Sequence, residues 1–113
     1  TGVHAFTADE PKPEGADAGA SPFGLVLSGL GACTAITLRM YAERKQWPLK
    51  SVRVDLAFRW EMVGEERRPR IERTLRLEGP LDGGQRARIA EIAEKTPVTR
   101  ALKSGIAIRT TLI

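Results

Sequence analysis

Residues 21–49 read SPFGLVLSGLGACTAITLRMYAERKQWPL, and the fold depends on this stretch more than on any other. Residues 18–38 include no charged side chain, and their apolar residues fall on every side of a helix. A helix that is apolar all round must be buried. The charged residues 43–45 and then Pro48 mark its end, so the sequence predicts a long helix over about residues 22–46.

A membrane span is the alternative interpretation of this stretch. Gly24, Ser28, Gly29 and Thr34 interrupt its apolar character, and the apolar part falls short of the roughly 20 residues that a span requires. We therefore expect a core helix and no membrane association. Because a chain of 113 residues buries only about two-thirds of its unfolded surface, such a helix needs a second subunit to cover it. The expected assembly is a homodimer.

The second half of the chain begins with a predicted β-hairpin. From residue 51 to residue 62 apolar and polar side chains alternate with period two, which is typical of a half-buried strand. Gly64 and its neighbours predict a turn, and a second alternating run includes Ile71, Leu75 and Leu77. Before the long helix, residues 9–22 form a proline- and glycine-rich loop that follows a short extended segment.

Two shorter helices and a strand are expected after the hairpin. Asp82 and Gln85 have the spacing of a capping box, which predicts a helix ending near Lys95. Thr96 followed by Pro97 is typical of an N-cap and first helical residue, so a short helix should run to about Lys103 and end at Gly105. The alternating residues 106–112 predict a final strand. The order of elements gives an α+β fold within a single domain, residues 1–113.

Composition excludes several classes of function. The net charge is +4, but basic and acidic residues are interleaved, and no nucleic-acid-binding motif is present, so we expect no nucleic-acid partner. With one cysteine and one histidine the chain has no metal-ligand cluster, no disulfide framework and no recognisable cofactor motif. These features favour a reducing, cytoplasmic location. The sequence begins at Thr1 with no segment resembling a signal peptide, and we expect a trimmed or processed start.

Cys33, the single cysteine, is the residue most able to carry chemistry. If Gly29 and Gly31 break the helix, Cys33 falls in the first turn of its second half, where free amides and the helix dipole stabilise a thiolate. If the helix is unbroken, that help is absent. The alternative is a small buried hydrophobic residue, a common state of free cysteine. The other candidates are interpreted as structural or solvated residues: His4, Glu43, Arg44, Lys45, Trp47 and Trp60.

At these residues the sequence resembles the OsmC/Ohr family of thiol-dependent peroxide reductases and their OsmC-like relatives. The resemblance covers nearly the whole chain. Its segments are ADEP at 8–11, DAG at 17–19, the stretch 21–49 with GACT at its centre, LEGPLDGGQRARIAEIAEK at 77–95 and PVTRAL at 97–102. It implies an OsmC-like fold in which an antiparallel sheet packs on a long central helix. It also implies an intertwined homodimer with each active site at the subunit interface.

The resemblance further implies a reaction. Active members reduce organic hydroperoxides with a cysteine at the position of Cys33, which becomes a sulfenic acid and is resolved by a second cysteine. An external thiol or a lipoyl protein supplies the reductant. In this chain Thr96 stands at the position of the resolving cysteine, and Thr99 stands where the family has a histidine. The family's acid maps onto Phe23 and Gly24, neither of which is acidic.

The assisting arginine of the family usually comes from N-terminal strands, whereas the first arginine here is Arg39. Either those strands are truncated in this sequence or that arginine is absent, although Arg39, Arg44 or a partner residue could substitute. Three hypotheses follow: a one-cysteine, peroxiredoxin-like hydroperoxide reductase of weak or lost activity, a non-catalytic dimer module that binds a small apolar ligand or a partner, and a purely structural dimer.

Overall fold

The computed structural model describes residues 2–113 and contains three helices and one hairpin. The elements are α1 (Pro22–Lys45), β1 (Ser51–Val63), β2 (Glu66–Glu78), α2 (Gly83–Ala93) and α3 (Pro97–Ser104). β1 and β2 pair as a two-stranded sheet. The predicted α+β class is therefore confirmed, and the predicted bounds of the three helices agree with the structure to within about two residues, as expected of helix ends.

Helix α1 begins and ends with recognisable caps. Ser21 precedes Pro22, and its Oγ accepts a hydrogen bond from the Gly24 N–H at 3.0 Å, which satisfies one of the free amides of the first turn. At the other end Gln46 has a positive φ of 57°, and the next residue's N–H donates to the Ala42 carbonyl at 2.9 Å. This left-handed residue terminates the helix ahead of Pro48.

Helix α1 has one stripe of buried side chains within a single chain. Its buried residues are Leu30, Thr34, Leu38 and Ala42, which follow one another at intervals of four and so lie on one face. Large apolar side chains elsewhere on the helix are exposed: Phe23 (52%), Val26 (43%), Ile36 (60%) and Met40 (54%). The helix is also long and apolar enough to cross a membrane, a test that core helices of soluble proteins pass as well. The expectation that the apolar part of this stretch is too short for a span is therefore not upheld, and the expected absence of membrane association stays a prediction.

The chain divides into two compact units. The first consists of the chain up to Gly29 together with Leu56–Arg73, and the second consists of Leu30–Asp55 together with Thr74–Ile113. The core of the second unit is formed by Leu38, Ile89 and Ala93, and partly buried side chains surround them: Trp47, Val52, Leu75, Leu77, Leu81 and Ile92. This core joins α1, α2 and the paired ends of the hairpin strands that belong to the same unit.

The hairpin turns where the sequence predicts. Gly64 adopts a φ of +66°, a conformation that favours glycine, and β2 begins two residues later. The predicted apolar face of β1 is half-buried from Val52 to Phe58, whereas Trp60 and Met62 are 47% and 64% exposed. The alternation therefore predicts the strand correctly but overstates the burial of its last residues.

The capping box that begins α2 is confirmed atom by atom. Asp82 Oδ1 accepts from the Gln85 N–H at 2.7 Å, and the Asp82 N–H donates to Gln85 Oε1 at 3.0 Å. Thr96 is the N-cap of α3 with Pro97 at its first position, as predicted, but the Thr96 side chain makes no capping hydrogen bond. Gly105, with a φ of +82°, ends α3.

The predicted final strand is wrong for the single chain. No strand is assigned to residues 106–112, and the apolar side chains there are exposed, including Ile106 (63%), Ile108 (89%) and Leu112 (96%). A strand requires hydrogen-bonding partners along its length, and the two-stranded sheet of the described chain does not pair with this segment. Alternation identifies a segment able to form a strand without identifying its partner.

The described residues before α1 form a loop held by hydrogen bonds, without a regular strand. A single parallel bridge joins Ala8 to Ala20. Between them, the Asp9 carboxylate accepts hydrogen bonds from the N–H groups of Glu10, Ala16 and Ala18 at 2.8 to 3.2 Å. These bonds, with the one from Ala18 as the largest contribution, lower the pKa of Asp9 because they stabilise its charged form.

Replacing Gln46 with glycine should stabilise the fold. A non-glycine residue in the left-handed region costs roughly 1–2 kcal/mol, and glycine removes this cost. Part of the gain is lost because glycine has more conformational freedom in the unfolded chain. We expect Gln46→Gly to raise the free energy of unfolding by about 0.5–1 kcal/mol, measured by urea denaturation. The control is Glu43→Gly, at an exposed helical position of α1, which should lower it by about 1 kcal/mol. Destabilisation by Gln46→Gly would contradict this account of the cap.

Candidate functional site

Cys33 is a free, half-buried thiol in the interior of α1. The helix runs unbroken through Gly29 and Gly31, so the amides around Cys33 are used in helical hydrogen bonds. The condition under which helix-terminal amides would assist the thiolate is therefore not met. In the single chain part of the Cys33 surface is exposed, and the alternative interpretation, a small hydrophobic residue buried in an assembly, stays a prediction.

Cys33 lies on an outer stripe of α1, which we define as Cys33, Ile36 and Met40. Their spacing of three and four residues places them on one helix face. Ile36 is 60% exposed and Met40 is 54% exposed, whereas Thr34 and Leu38 are fully buried on another face. A reactant approaching Cys33 along this stripe would meet apolar side chains and no charged group from the stripe itself.

Thr96 and Thr99 form a buried hydroxyl pair at the junction of α2 and α3. Their Oγ1 atoms are 2.6 Å apart, and the Thr99 hydroxyl also donates to the Ala93 carbonyl at 3.3 Å. Thr96 is fully buried and Thr99 is 4% exposed. Either hydroxyl can donate in the short contact. Thr96, which the resemblance maps onto the resolving cysteine, is thus hydrogen-bonded to Thr99 in the protein interior.

Phe23, onto which the resemblance maps the family's acid, belongs to a cluster of aromatic side chains. Phe23 stacks on Phe58 with ring centroids 4.3 Å apart, and Phe58 contacts Trp60 edge-on at 5.4 Å. The Arg67 guanidinium lies 4.8 Å from the centroid of the Trp60 ring. Gly24 has no side chain; its backbone N–H donates to Ser21 Oγ, and its carbonyl accepts from the Ser28 hydroxyl. Sequence reasoning missed this cluster, although the placement of Phe58 and Trp60 on one face of the alternating strand was the available signal.

Arg39 and Arg44, considered above as replacements for the family's assisting arginine, lie in other surroundings. The Arg39 guanidinium donates to the Lys50 carbonyl at 3.4 Å, and Arg44 is exposed at the end of α1. Sequence reasoning also missed Arg88, whose Nε donates to Tyr41 Oη at 3.1 Å and whose Nη1 contacts Glu91 at 2.8 Å. These bonds, with the one to Tyr41 as the larger contribution, raise the pKa of Arg88 above its usual value. The contacts support structure and do not bring a guanidinium to Cys33.

The remaining sequence candidates are placed as surface or packing residues. His4 is exposed near the N-terminus, and Glu43, Arg44 and Lys45 form an exposed helix end. Trp47 packs edge-on against Tyr41 with centroids 5.6 Å apart. Residues 2–113 contain no group of three histidine, cysteine or acidic side chains placed to hold a metal ion.

Comparison with protein families identifies the family of this chain. The model of the family described as OsmC-like protein matches residues 15–111, which include α1, the hairpin, α2 and α3. The chain belongs to the OsmC-like protein family. The resemblance found in the sequence is thereby confirmed, while the roles of Cys33 and Thr96 remain predictions. No match is found among curated proteins.

Solved structures share the OsmC-like fold. An OsmC-like protein from Mycoplasma pneumoniae superposes with a TM-score of 0.77 at 19% identity. The superposition covers 91% of this chain and 75% of the Mycoplasma chain. An OsmC-like hydroperoxide resistance protein from Jannaschia sp. CCS1 gives a TM-score of 0.68 at 25% identity, covering 88% and 70% respectively. The organic hydroperoxide resistance protein OsmC from Legionella pneumophila gives 0.66 at 18% identity, covering 84% and 71%.

The hydroxyl pair generates an asymmetric stability prediction. Thr99→Val removes the hydroxyl that is hydrogen-bonded to Thr96 and leaves the buried Thr96 hydroxyl unpaired, which should cost about 1–3 kcal/mol. Thr96→Val leaves the bond from Thr99 to Ala93 intact and should cost less. In a double-mutant cycle by urea denaturation, Thr96→Val should therefore lessen the destabilisation caused by Thr99→Val. Equal and additive losses would show that the two hydroxyls are not coupled.

Proposed function

We propose that this OsmC-like protein is a one-cysteine thiol reductant of organic hydroperoxides, with turnover far below that of two-cysteine relatives. The observation that carries the proposal is the partial exposure of Cys33 on the apolar outer stripe of α1, where an organic hydroperoxide could reach the sulfur. The description of the Jannaschia structure as a hydroperoxide resistance protein supports the substrate class.

The proposed reaction balances without a second cysteine. The Cys33 thiolate attacks the terminal peroxide oxygen, the O–O bond breaks, and protonation of the alkoxide releases an alcohol. The sulfur becomes a sulfenic acid. An external thiol then displaces water to form a mixed disulfide, and a second thiol equivalent regenerates Cys33. A low-molecular-weight thiol or a dihydrolipoyl group of a reducing cytoplasm would supply both equivalents.

Three features of the site support slow turnover. Cys33 is in mid-helix, away from the free amides of a helix N-terminus, which elsewhere stabilise thiolates. Phe23 and Gly24 provide no carboxylate, and the Arg39 guanidinium bonds to the Lys50 carbonyl. Thr96, buried against Thr99, provides no thiol. A proton-transfer group alone contributes typically 10²–10⁴-fold in rate, so its loss suffices to make the enzyme slow.

The functional unit in this proposal is a homodimer. The exposed apolar side chains of α1, such as Ile36 and Met40, are large and lie on a helix with no charged residue before Arg39. In this proposal a second copy packs against these side chains and leaves an opening to Cys33, through which the hydroperoxide reaches the sulfur. Burying one such side chain stabilises the assembly by about 1.5–3 kcal/mol.

The aromatic cluster favours a second candidate function, the binding of a small apolar ligand or partner without chemistry. Phe23, 52% exposed, and Trp60, 47% exposed, present ring surface at the position where the family has its acid. Replacing a charged group by stacked rings removes catalytic capacity and adds apolar contact area. An inert Cys33 together with ligand binding would favour this function.

Treatment with hydroperoxide should distinguish the two functions. After stoichiometric cumene hydroperoxide, mass spectrometry of the proposed enzyme should detect Cys33 sulfenate, or its mixed disulfide when a thiol is present. Steady-state turnover with dihydrolipoamide should be on the order of 10² or more below that of a two-cysteine family member assayed alongside. Cys33→Ser should abolish both signals while leaving stability nearly unchanged, since the side chain is partly exposed.

Two outcomes would contradict the proposal. An unmodified Cys33 after excess hydroperoxide would exclude the reductase and favour the binding function. A loss of about 1–3 kcal/mol in Cys33→Ser, the cost of burying an unpaired hydroxyl, would show that Cys33 is a packing residue.

Thr96→Cys tests whether a resolving thiol is all that the site lacks. The new thiol would be fully buried at the start of α3 and would leave Phe23 and Gly24 at the acid position. We therefore expect turnover to stay within about tenfold of the parent, measured by hydroperoxide consumption with dihydrolipoamide. Thr96→Ser is the matched control that keeps the hydroxyl. Turnover equal to that of a two-cysteine member would show that the acid is dispensable.

A further inference from the structure

The aromatic cluster, which consists of Phe23, Phe58 and Trp60, presents ring surface beside a guanidinium group. Phe23 is 52% exposed and Trp60 is 47% exposed, and Met62, 64% exposed, extends this surface towards the turn of the hairpin. These residues and Arg67 all belong to the first compact unit. From residue 58 to residue 62 the strand extends about 13 Å, so the surface is long enough for a ligand of two fused rings.

The geometry of the hairpin places Arg67 on the same face as Trp60. β1 ends at Val63 and β2 begins at Glu66, so a two-residue turn brings these two residues opposite each other. Side chains alternate between faces along each strand, and the even-numbered residues of β1 therefore share a face with the odd-numbered residues of β2. The Arg67 guanidinium lies 4.8 Å from the centroid of the Trp60 ring, which agrees with this register.

The same alternation places the acidic side chains of both strands on the opposite face. Two of them are paired there with arginines, Glu66 with Arg68 at 2.6 Å and Glu61 with Arg70 at 3.0 Å. Arg67 itself makes no ion pair with the residues that the structure describes. The face that presents the aromatic cluster therefore combines exposed rings with a positive charge and includes no carboxylate from β1 or β2. The acidic residues of the strands are Asp55, Glu61, Glu66, Glu72 and Glu78.

A guanidinium that lies over an indole ring is well suited to bind a carboxylate. Its N–H donors form a rigid planar fork that matches the two carboxylate oxygens, and contact with the ring restricts its movement. A carboxylate bound to Arg67 by two parallel hydrogen bonds leaves the rest of the ligand beside the exposed rings. An aromatic ring at that place gains both apolar burial and stacking.

We propose that the aromatic cluster and Arg67 form a binding site for an aromatic carboxylate, whose ring stacks on the cluster and whose carboxylate pairs with Arg67. The inference rests on the second candidate function, to which it gives a ligand class, and it does not involve Cys33. Charge argues against a second copy of the chain as the occupant. A symmetric contact through this surface would bring two Arg67 guanidinium groups together and pair neither of them.

The test compares naphthoate with naphthamide, a neutral analogue of the same shape, in nuclear magnetic resonance titrations of the full chain. We expect naphthoate to bind about fivefold more tightly, the difference that an exposed ion pair supplies, and high salt to remove this difference. The Trp60 indole resonance should shift in both titrations. The Trp47 indole, which packs on Tyr41 in the second compact unit, should not shift and serves as the internal reference.

Arginine variants assign the difference to one side chain. Arg67→Gln should weaken naphthoate binding about fivefold and leave naphthamide binding unchanged, whereas Arg67→Lys, which keeps the charge without the fork, should recover part of the loss. The matched control is Arg68→Gln, which removes the neighbouring arginine from the opposite face and should bind both probes like the parent. Both arginines are exposed, so the urea midpoint of unfolding should stay the same in these variants.

The outcomes separate this inference from the function on which it rests. Equal affinity for the two probes, or equal losses in Arg67→Gln and Arg68→Gln, would overturn carboxylate recognition by Arg67 and leave the binding of an apolar ligand standing. Absence of binding by both probes would overturn the inference and the second candidate function together, whatever the reactivity of Cys33. A dimer that dissociates in Trp60→Leu would overturn the inference in favour of a second copy on this surface.

Discussion

The structure depends on the packing of one stripe of α1. Leu38 is fully buried together with Ile89 and Ala93 of α2, so this contact joins the longest helix to the helix that follows the hairpin. The buried residues of this 24-residue helix are Leu30, Thr34, Leu38 and Ala42, which form one stripe. The exposed apolar residues on its other faces support the proposed homodimer, and Cys33, the residue of the proposed chemistry, lies on one of those faces.

Most of the fold could be predicted because its signals are local. The Asp82–Gln85 capping box, the order of Thr96 and Pro97, and the glycines at 64 and 105 each act through neighbouring backbone groups, and each appears as expected. The final strand could not be placed, because the alternation of residues 106–112 reveals strand propensity while its pairing depends on contacts distant in sequence. The burial of Trp60 and Met62 was overstated for the same reason.

The sequence could nominate the residues of the candidate site but could not predict their geometry. The family resemblance selected Cys33 and Thr96, but whether α1 breaks at Gly29 or Gly31 depends on packing along the whole helix. The hydrogen bond between Thr96 and Thr99 joins residues three apart, yet its importance comes from complete burial, which no spacing reveals. The stack of Phe23 on Phe58 connects residues 35 positions apart and left only a weak signal in the alternation of β1.

The hydrogen bond between Thr96 and Thr99 is insensitive to oxidation, unlike a contact made by a thiol. A thiol at a structural joint changes its volume and polarity each time it is oxidised, and its local packing has to tolerate several chemical states. A pair of hydroxyls has a single oxidation state. The hydrogen bond at the junction of α2 and α3 therefore stabilises the fold equally at any redox potential. Oxidative damage to cysteine is thereby confined to a single atom, the sulfur of Cys33, on a different helix from this joint.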